Sequence, residues 1–420
     1  MNRRKIWERL KLERGLIENV FSLATLQFFN IIIPILLIPF LYTRVGVDMF
    51  AMIMVAQALT AYFVIVIDYG FNLSATRHIS INRDNNKTLS EAFSSVMILK
   101  SSICVVSFLV YIILVFMYSN YSTHKELFFL FYLTVVGQSL FPSWFFQGVE
   151  KMKYITIINA ILKIVCSILI FFMIDTVKDY YYYPLIFGIG SIIGACVAIR
   201  LACKNYDLKI YIPDVCILFV YLKESTGFFF SRIAVTSYTT LNIIVLSFFA
   251  STTVVGYYSI AEKIYMAIRS IYQPVSTALY PYISKNRNVL IFKRIFSWLI
   301  IGNFIAVLLL YFLSPWVIKL ATGHYQQESI EYLRLFSILI LIIMPSIFMG
   351  YPLLGAMGYS SVVNRSVIFP SIIHIAIIGF LSLFQFIEPK TIIYTLLFTE
   401  IFVLFIRMAY VIKFKIYKIE

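Results

Sequence analysis

Charge is scarce in this chain. Asp, Glu, Lys and Arg make up 13% of its 420 residues, hydrophobic residues make up 61%, and the mean hydropathy is +0.89. Ordinary soluble domains carry about a quarter of their residues as charges, so a water-soluble globular protein is excluded. Long loops are lacking too: the longest on one side runs over about 314–331, leaving no room for a folded domain outside the membrane. Cysteine is sparse and unpatterned. Cys104, Cys166, Cys196, Cys203 and Cys216 lie in or beside apolar stretches, with neither disulfide-framework nor metal-ligand spacing. No metal site, redox motif or cofactor requirement follows from the sequence.

What is abundant is apolar sequence in runs near the ~20 residues that cross a bilayer. Such runs fall at 20–42, 50–67, 93–118, 127–146, 154–174, 184–202, 227–250, 254–280, 291–313, 332–354, 362–384 and 391–411. Backbone polar groups in lipid must be satisfied within the segment, so these runs predict an all-α integral membrane protein of about twelve transmembrane helices. Most of the 35 Lys and Arg residues gather on one side: Arg3 to Arg14, Arg77, Arg83, Lys87, Lys151, Lys153, Arg200 to Lys223, Lys285 to Arg294, Arg365, Arg407 and Lys413 to Lys418. The positive-inside rule makes that side cytoplasmic and places both termini there. It also accounts for the net charge of +15 without a nucleic-acid partner. The basic N-terminal run, with Ile6, Trp7 and Leu10 between its charges, suits the anionic lipid surface.

Self-comparison predicts a duplication. Phe141-Pro142 followed by Gly148 is echoed by Tyr351-Pro352 followed by Gly358, about 210 residues on, a pattern expected of carriers built from internal repeats. Val55-Ala56-Gln57-Ala58-Leu59 is echoed by Ile260-Ala261-Glu262-Lys263-Ile264 at nearly the same offset. The expected organisation is a basic segment at 1–19, a six-helix half at 20–202, a connector at 203–226 and a second six-helix half at 227–420. Pro34, Pro39, Pro142, Pro274, Pro281, Pro345 and Pro352 fall inside the apolar runs, where they bend helices and serve either as static shaping or as hinges.

Charges at membrane depth carry the functional signal. A Lys, Arg or Asp in mid-bilayer costs roughly 2.5–3.5 kcal/mol on insertion scales, so such residues mark polar paths or ion pairs. Thr156, Asn159, Lys163 and Ser167 recur at helical spacing along one stripe, as do Ser225, Arg232, Thr236 and Thr239. Glu262, Arg269 and Gln273 share a third face. The deeper bases Lys100, Lys163, Arg232, Lys263 and Arg269 outnumber the acids Glu262 and Glu400, which predicts a hydrated cationic cavity for an anionic solute. Competing structural readings are that Lys100 and Arg232 snorkel to the interface, and that Glu262 pairs with Arg269 or another base. Asp68, Gln147, Glu150 and Arg334 stand at segment ends, where gating or coupling would act. Trp144, Tyr258 and Tyr265 lie near the charged stripes, where rings stack on sugars. His78, His124 and His324 fall in predicted loops; only His374 lies within a predicted helix, and Asp68 and Glu262 are better suited to carry protons.

The chain resembles the O-antigen or repeat-unit polysaccharide flippases, the Wzx-type proteins of the superfamily that also holds the MATE exporters and the lipid II flippase. The resemblance rests on Asp68-Tyr69-Gly70-Phe71, on Phe141-Pro142-Ser143-Trp144-Phe145-Phe146-Gln147-Gly148-Val149-Glu150, on Tyr258 to Ile264 with Ala261-Glu262-Lys263, on Pro274 to Pro281, and on Leu354-Gly355-Ala356-Met357-Gly358-Tyr359. Met49-Phe50 departs from the family, which usually shows an aromatic residue and a glycine there. The resemblance implies a non-enzymatic carrier in the bacterial inner membrane. It would move an undecaprenyl-diphosphate-linked oligosaccharide from the cytoplasmic to the periplasmic leaflet by alternating access, with membrane lipid and other polysaccharide-assembly proteins as partners. A multidrug exporter would bind organic cations and require acids in its cavity. A polysaccharide polymerase or glycosyltransferase would require a sizeable outer loop or an acidic catalytic motif.

Overall fold

The computed structural model describes residues 3–287 and 289–416, with side chains described from Thr25 onward apart from a few positions within 231–237 and 278–286. The basic side chains of 1–19, and those of Lys285 and Lys418, therefore lie outside the described residues. The elements are α1 (Arg3–Asp68), α2 (Phe71–Ile81), α3 (Asn86–Met117), α4 (Ser119–Thr123), α5 (Lys125–Leu140), α6 (Ser143–Gly148), α7 (Met152–Met173), α8 (Tyr182–Tyr206), α9 (Val215–Phe249), α10 (Thr252–Asn286), α11 (Val289–Thr322), α12 (Gln327–Phe348), α13 (Ser360–Leu383) and α14 (Pro389–Lys413). A 3-10 turn, Val177–Tyr181, precedes α8, and a π-helical turn, Met349–Gly355, follows α12.

Among the described residues nine helices are long and apolar enough to cross a membrane. The number falls below twelve for two reasons. Two predicted runs, 20–42 and 50–67, form one helix through the non-helical Gly46. The run 254–280 lies inside α10, where Glu262, Lys263 and Arg269 interrupt the apolar stretch, and of the run 227–250 in α9 the described apolar stretch is Tyr238–Phe249, too short to cross by itself.

The chain forms two compact units, Met1–Pro34 with Leu59–Ile233 and Ile35–Ala58 with Ala234–Glu420. In the first, α1 ends at Asp68 because Tyr69 and Gly70 take left-handed backbone (φ 45° and 82°). A Cβ on Gly70 would lie 2.8 Å from Phe228 Cβ and 2.9 Å from the Ser225 carbonyl oxygen, so this turn also requires glycine for close approach to α9. Beyond it α2 packs against α6. Thr76 donates to the Trp144 carbonyl (3.0 Å), and Ser143 donates to Asn72 Oδ1 (3.1 Å). Gly148 lets Ile79 within 2.6 Å of where its Cβ would be. His78, expected in a loop, is on α2 and bonds the Tyr221 hydroxyl (3.2 Å). The connector is pinned to α3: Lys209 N–H donates to Ser90 and Tyr211 N–H to Ser94.

In the second unit the segment Ile35–Ala58 is held by side chains. Tyr42 donates to Gln326 (2.6 Å), and Thr252 and Thr253 both donate to Asp48 (2.9 and 2.7 Å). Phe348, Met344 and Leu354 form a core with Leu279 and Ile283. Pro352 stands in the π-helical turn, where Gly350 departs from helical geometry (φ −70°, ψ −117°). Pro142 likewise separates α5 from α6, so each member of the Phe/Tyr-Pro repeat marks a helix break.

Candidate functional site

The membrane-depth charges fall into two sets, one in each unit. In the first, Lys100 lies well inside α3, 2% exposed, and donates to Asp68 Oδ1 at 3.0 Å. Asp68 Oδ2 is buried without a hydrogen-bond partner. The left-handed turn at Tyr69 and Gly70 fixes the carboxylate at the helix end, so Lys100 faces a counter-ion instead of an open path. Lys163 on α7 is half-buried and donates to the side-chain oxygen of Asn30 on α1, a neutral partner. Along the same α7 face Thr156 and Ser167 turn their hydroxyls back to the carbonyls of Met152 and Lys163, and Asn159 donates to the Ile155 carbonyl. Arg232 is exposed on α9, Gln147 is half-buried on α6, and Glu150 is exposed in an ion pair with Arg83 at 3.2 Å.

The second unit brings more charge together. Glu262 is 4% exposed and accepts from Tyr258 one turn earlier (3.1 Å). The next residue, Lys263, donates to Gln57 at 2.6 Å. Two turns on, Arg269 approaches Glu400 of α14 at 4.0 Å and donates to the Tyr265 hydroxyl (3.5 Å), with 27% of its side chain exposed. Tyr238 of α9 is a close electrostatic neighbour of both Arg269 and Glu400. Glu262 therefore pairs with a tyrosine, and the acid opposite Arg269 is Glu400. Arg334 donates to Ser314 (3.1 Å) with its guanidinium over the Tyr311 ring.

One cation was hidden by its sequence position. Arg407, grouped with the cytoplasmic bases on the loop tally, is buried inside the bundle. Its guanidinium donates to Ser366 (3.0 Å) and to Ser346 (3.2 Å) and packs on Gly350. The tally fails here because Arg407 lies within the last apolar run and within α14, not in the segment beyond it. Serines on α12 and α13 at the matching depth were the readable signal. The expectation that Trp144, Tyr258 and Tyr265 offer ring faces to a sugar is also corrected: all three are fully buried. Trp144 packs on Phe93 and Phe145, and Tyr265 stacks on Phe336 with centroids 4.8 Å apart.

Both units thus hold cations at membrane depth whose partners are neutral, distant or shared. Lys163 faces an amide, Lys263 faces an amide, and Arg269 and Arg407 share Glu400 as their nearby acid.

Solved structures of similar fold include two membrane proteins. The inward-closed lipid II flippase MurJ is similar with a TM-score of 0.67 over 94% of this chain and 87% of that one, at 15% identity. An inward-facing multidrug resistance MATE family transporter of the MOP superfamily is similar with a TM-score of 0.64 over 93% of this chain and 94% of that one, at 13% identity. Identities this low establish the fold alone, that of a multi-pass helical membrane protein. A Shigella dysenteriae protein described as a candidate O-antigen transporter is 27% identical over 92% of this chain and 97% of its own length. The family model described as polysaccharide biosynthesis protein matches residues 16–287, well over half the sequence, and the chain belongs to that family.

Proposed function

We propose that this protein is a flippase for a lipid-linked oligosaccharide. It moves undecaprenyl-diphosphate-linked repeat units from the cytoplasmic to the periplasmic leaflet of the bacterial inner membrane, with both termini in the cytoplasm. It is a carrier and not an enzyme, in keeping with relatives that are named transporters and flippases. The observation that carries the reading is the surplus of membrane-depth bases over acids. Lys163, Lys263, Arg269 and Arg407 stand against Glu262 and Glu400, while Lys100 and Asp68 neutralise each other. A diphosphate is a compact dianion that satisfies several cations at once, whereas an organic-cation exporter would meet repulsion here.

In the proposed cycle Lys163 and Arg232 of the first unit and Lys263 and Arg269 of the second each serve as contacts for the headgroup, the polyprenyl chain stays in lipid, and access alternates between the two faces of the membrane. Lys163 and Arg269 are the best placed because each is partly accessible, Lys163 held by a neutral amide and Arg269 by long contacts to Glu400 and the Tyr265 hydroxyl. Asp68, Gln147 and Glu150, at or beside helix ends, and Arg334, about two turns into α12, are the corresponding gating positions. Other polysaccharide-assembly proteins would supply the substrate and consume the product.

The test is restoration of surface polysaccharide in a strain lacking the protein, comparing wild type with Lys163→Ala and Arg269→Ala at matched membrane abundance. A charge-assisted hydrogen bond contributes roughly 1.5–3 kcal/mol, so each substitution should lower transport by about tenfold or more. Lipid-linked units should then accumulate on the cytoplasmic side. Undiminished polysaccharide in both variants would show that these cations do not bind the cargo.

A further inference from the structure

The second unit contains a buried ring whose hydrogen bonds are arranged for two protonation states. His374, on α13, is 1% exposed. Its Nε2 lies 3.0 Å from Asn242 Oδ1 and its Nδ1 lies 2.9 Å from Thr399 Oγ1. The Asn242 amide is oriented by its own donor, because Nδ2 bonds the Tyr238 carbonyl at 3.1 Å. Its oxygen must therefore face the ring, and an amide oxygen only accepts, so Nε2 carries a hydrogen. Nδ1 is not fixed in this way. Thr399 has one hydroxyl hydrogen and two acceptors within reach, His374 Nδ1 and the Thr395 carbonyl at 2.8 Å.

Each position of that hydrogen matches one state of the ring. With Nδ1 bare, the Thr399 hydroxyl donates to it. With Nδ1 protonated, the N–H donates to Thr399 Oγ1, and the hydroxyl hydrogen turns to the Thr395 carbonyl. No polar atom loses a partner in either state, so the usual penalty for changing a buried group's protonation, an orphaned donor or acceptor, is absent. A glutamine or leucine would fill the same space if packing alone were needed.

The nearby acid on α14 is Glu400, which follows Thr399, is approached by Arg269 at 4.0 Å and is flanked by Arg407 and Tyr238. Of the other titratable or charged groups on the elements around the ring, Tyr238 of α9 lies edge-on with centroids 6.1 Å apart. Arg407 is two turns further along α14, and Arg269 of α10 reaches the ring's surroundings only through Glu400 and Tyr238. Tyr351 of the π-helical turn bonds Asn364 near the start of α13, and the only other titratable group on α13 is Arg365.

We propose that His374 is a proton-binding site of the second unit, taking up one proton from water at Nδ1, with Thr399 as the hydroxyl switch and Asn242 as the residue that fixes the ring. Proton binding goes beyond the flippase reading and does not depend on the solute carried. It gives the protein a site through which a proton gradient can act on the unit that also holds Lys263, Arg269 and Arg407.

The chain has four histidines, which makes the test direct. Full-length protein labelled with nitrogen-15 in histidine and reconstituted into lipid is followed by solid-state NMR from about pH 9 to about pH 4, a range that spans ordinary imidazole titration. Replacing His78, His124 and His324 in turn by Gln assigns the fourth ring by elimination, so the result does not depend on a His374 variant folding. The expected outcome is hydrogen on Nε2 alone at high pH and on both nitrogens at low pH. A second variant, Thr399→Val, keeps the ring and removes the switch, and should displace the midpoint by about one pH unit or more. A ring that never changes state over this range, or one with its resting hydrogen on Nδ1, overturns the proposal. An unchanged midpoint in Thr399→Val overturns the role of the hydroxyl.

Discussion

Single residues here divide by burial more sharply than by charge. Lys100 with Asp68 and Arg83 with Glu150 are both ion pairs near 3 Å, yet the first is almost wholly buried and the second has about half of each side chain in solvent. Lys100→Ala leaves a carboxylate buried without its cation and should destabilise the protein by about 3–5 kcal/mol. Lys100→Met combined with Asp68→Asn should recover most of that loss, and Arg83→Ala should cost no more than about 1 kcal/mol. Thermal unfolding of the purified variants in detergent measures all three. If Lys100→Ala proved as mild as Arg83→Ala, the buried pair would carry no stability. The sequence revealed each of these charges but not their partners. Lys100, Asp68, Arg269 and Glu400 were visible as costly residues in apolar runs, whereas pairing joins residues far apart in the chain. Arg407 was missed because a base near the end of a last helix reads the same whether it faces water or two buried serines.

Among elements, the breaks matter as much as the spans. The Trp-Phe-Phe-Gln-Gly stretch was recognisable as a motif, and its location at a helix end was legible from Phe141-Pro142. Its role was not. These residues form a six-residue helix whose aromatic rings are fully buried against α2 and α3, so the motif builds the first unit instead of contacting a sugar. Gly148→Val puts a branched side chain where a Cβ alone would already stand 2.6 Å from Ile79 and 3.1 Å from the Thr76 carbonyl. Overpacking of this kind costs roughly 1–3 kcal/mol. The variant should lower membrane abundance and unfolding temperature, while Gln147→Ala, one residue away and half-buried, should leave both nearly unchanged. Equal effects from the two would mean that the α2–α6 contact does not limit stability. The twelve apolar runs were legible for the same reason that these packing details were not: crossing lipid requires only length and apolarity, while packing depends on which neighbour arrives.

On the scale of the whole molecule, the offset of the two Pro repeats gave the expectation of a duplicated chain, and the structure has a helix break at each of the two prolines. Where the compact units divide was not legible, since nothing in the composition of residues 35–58 sets them apart from the rest of the first two runs. These residues are held to the second unit by Tyr42, Asp48 and Gln57, through bonds to Gln326, Thr252, Thr253 and Lys263. The consequence concerns inheritance. A hybrid of two related proteins spliced in the connector at 207–214 would give its second unit a foreign strip of helix from the other parent, with mismatched partners for those four bonds. Such hybrids should accumulate poorly in membranes, and moving residues 35–58 along with 234–420 from the same parent should restore them. A gene that recombines at its midpoint would therefore divide the second unit between two ancestors, and exchange of cargo preference among relatives is expected to proceed by small local replacements more readily than by trading halves.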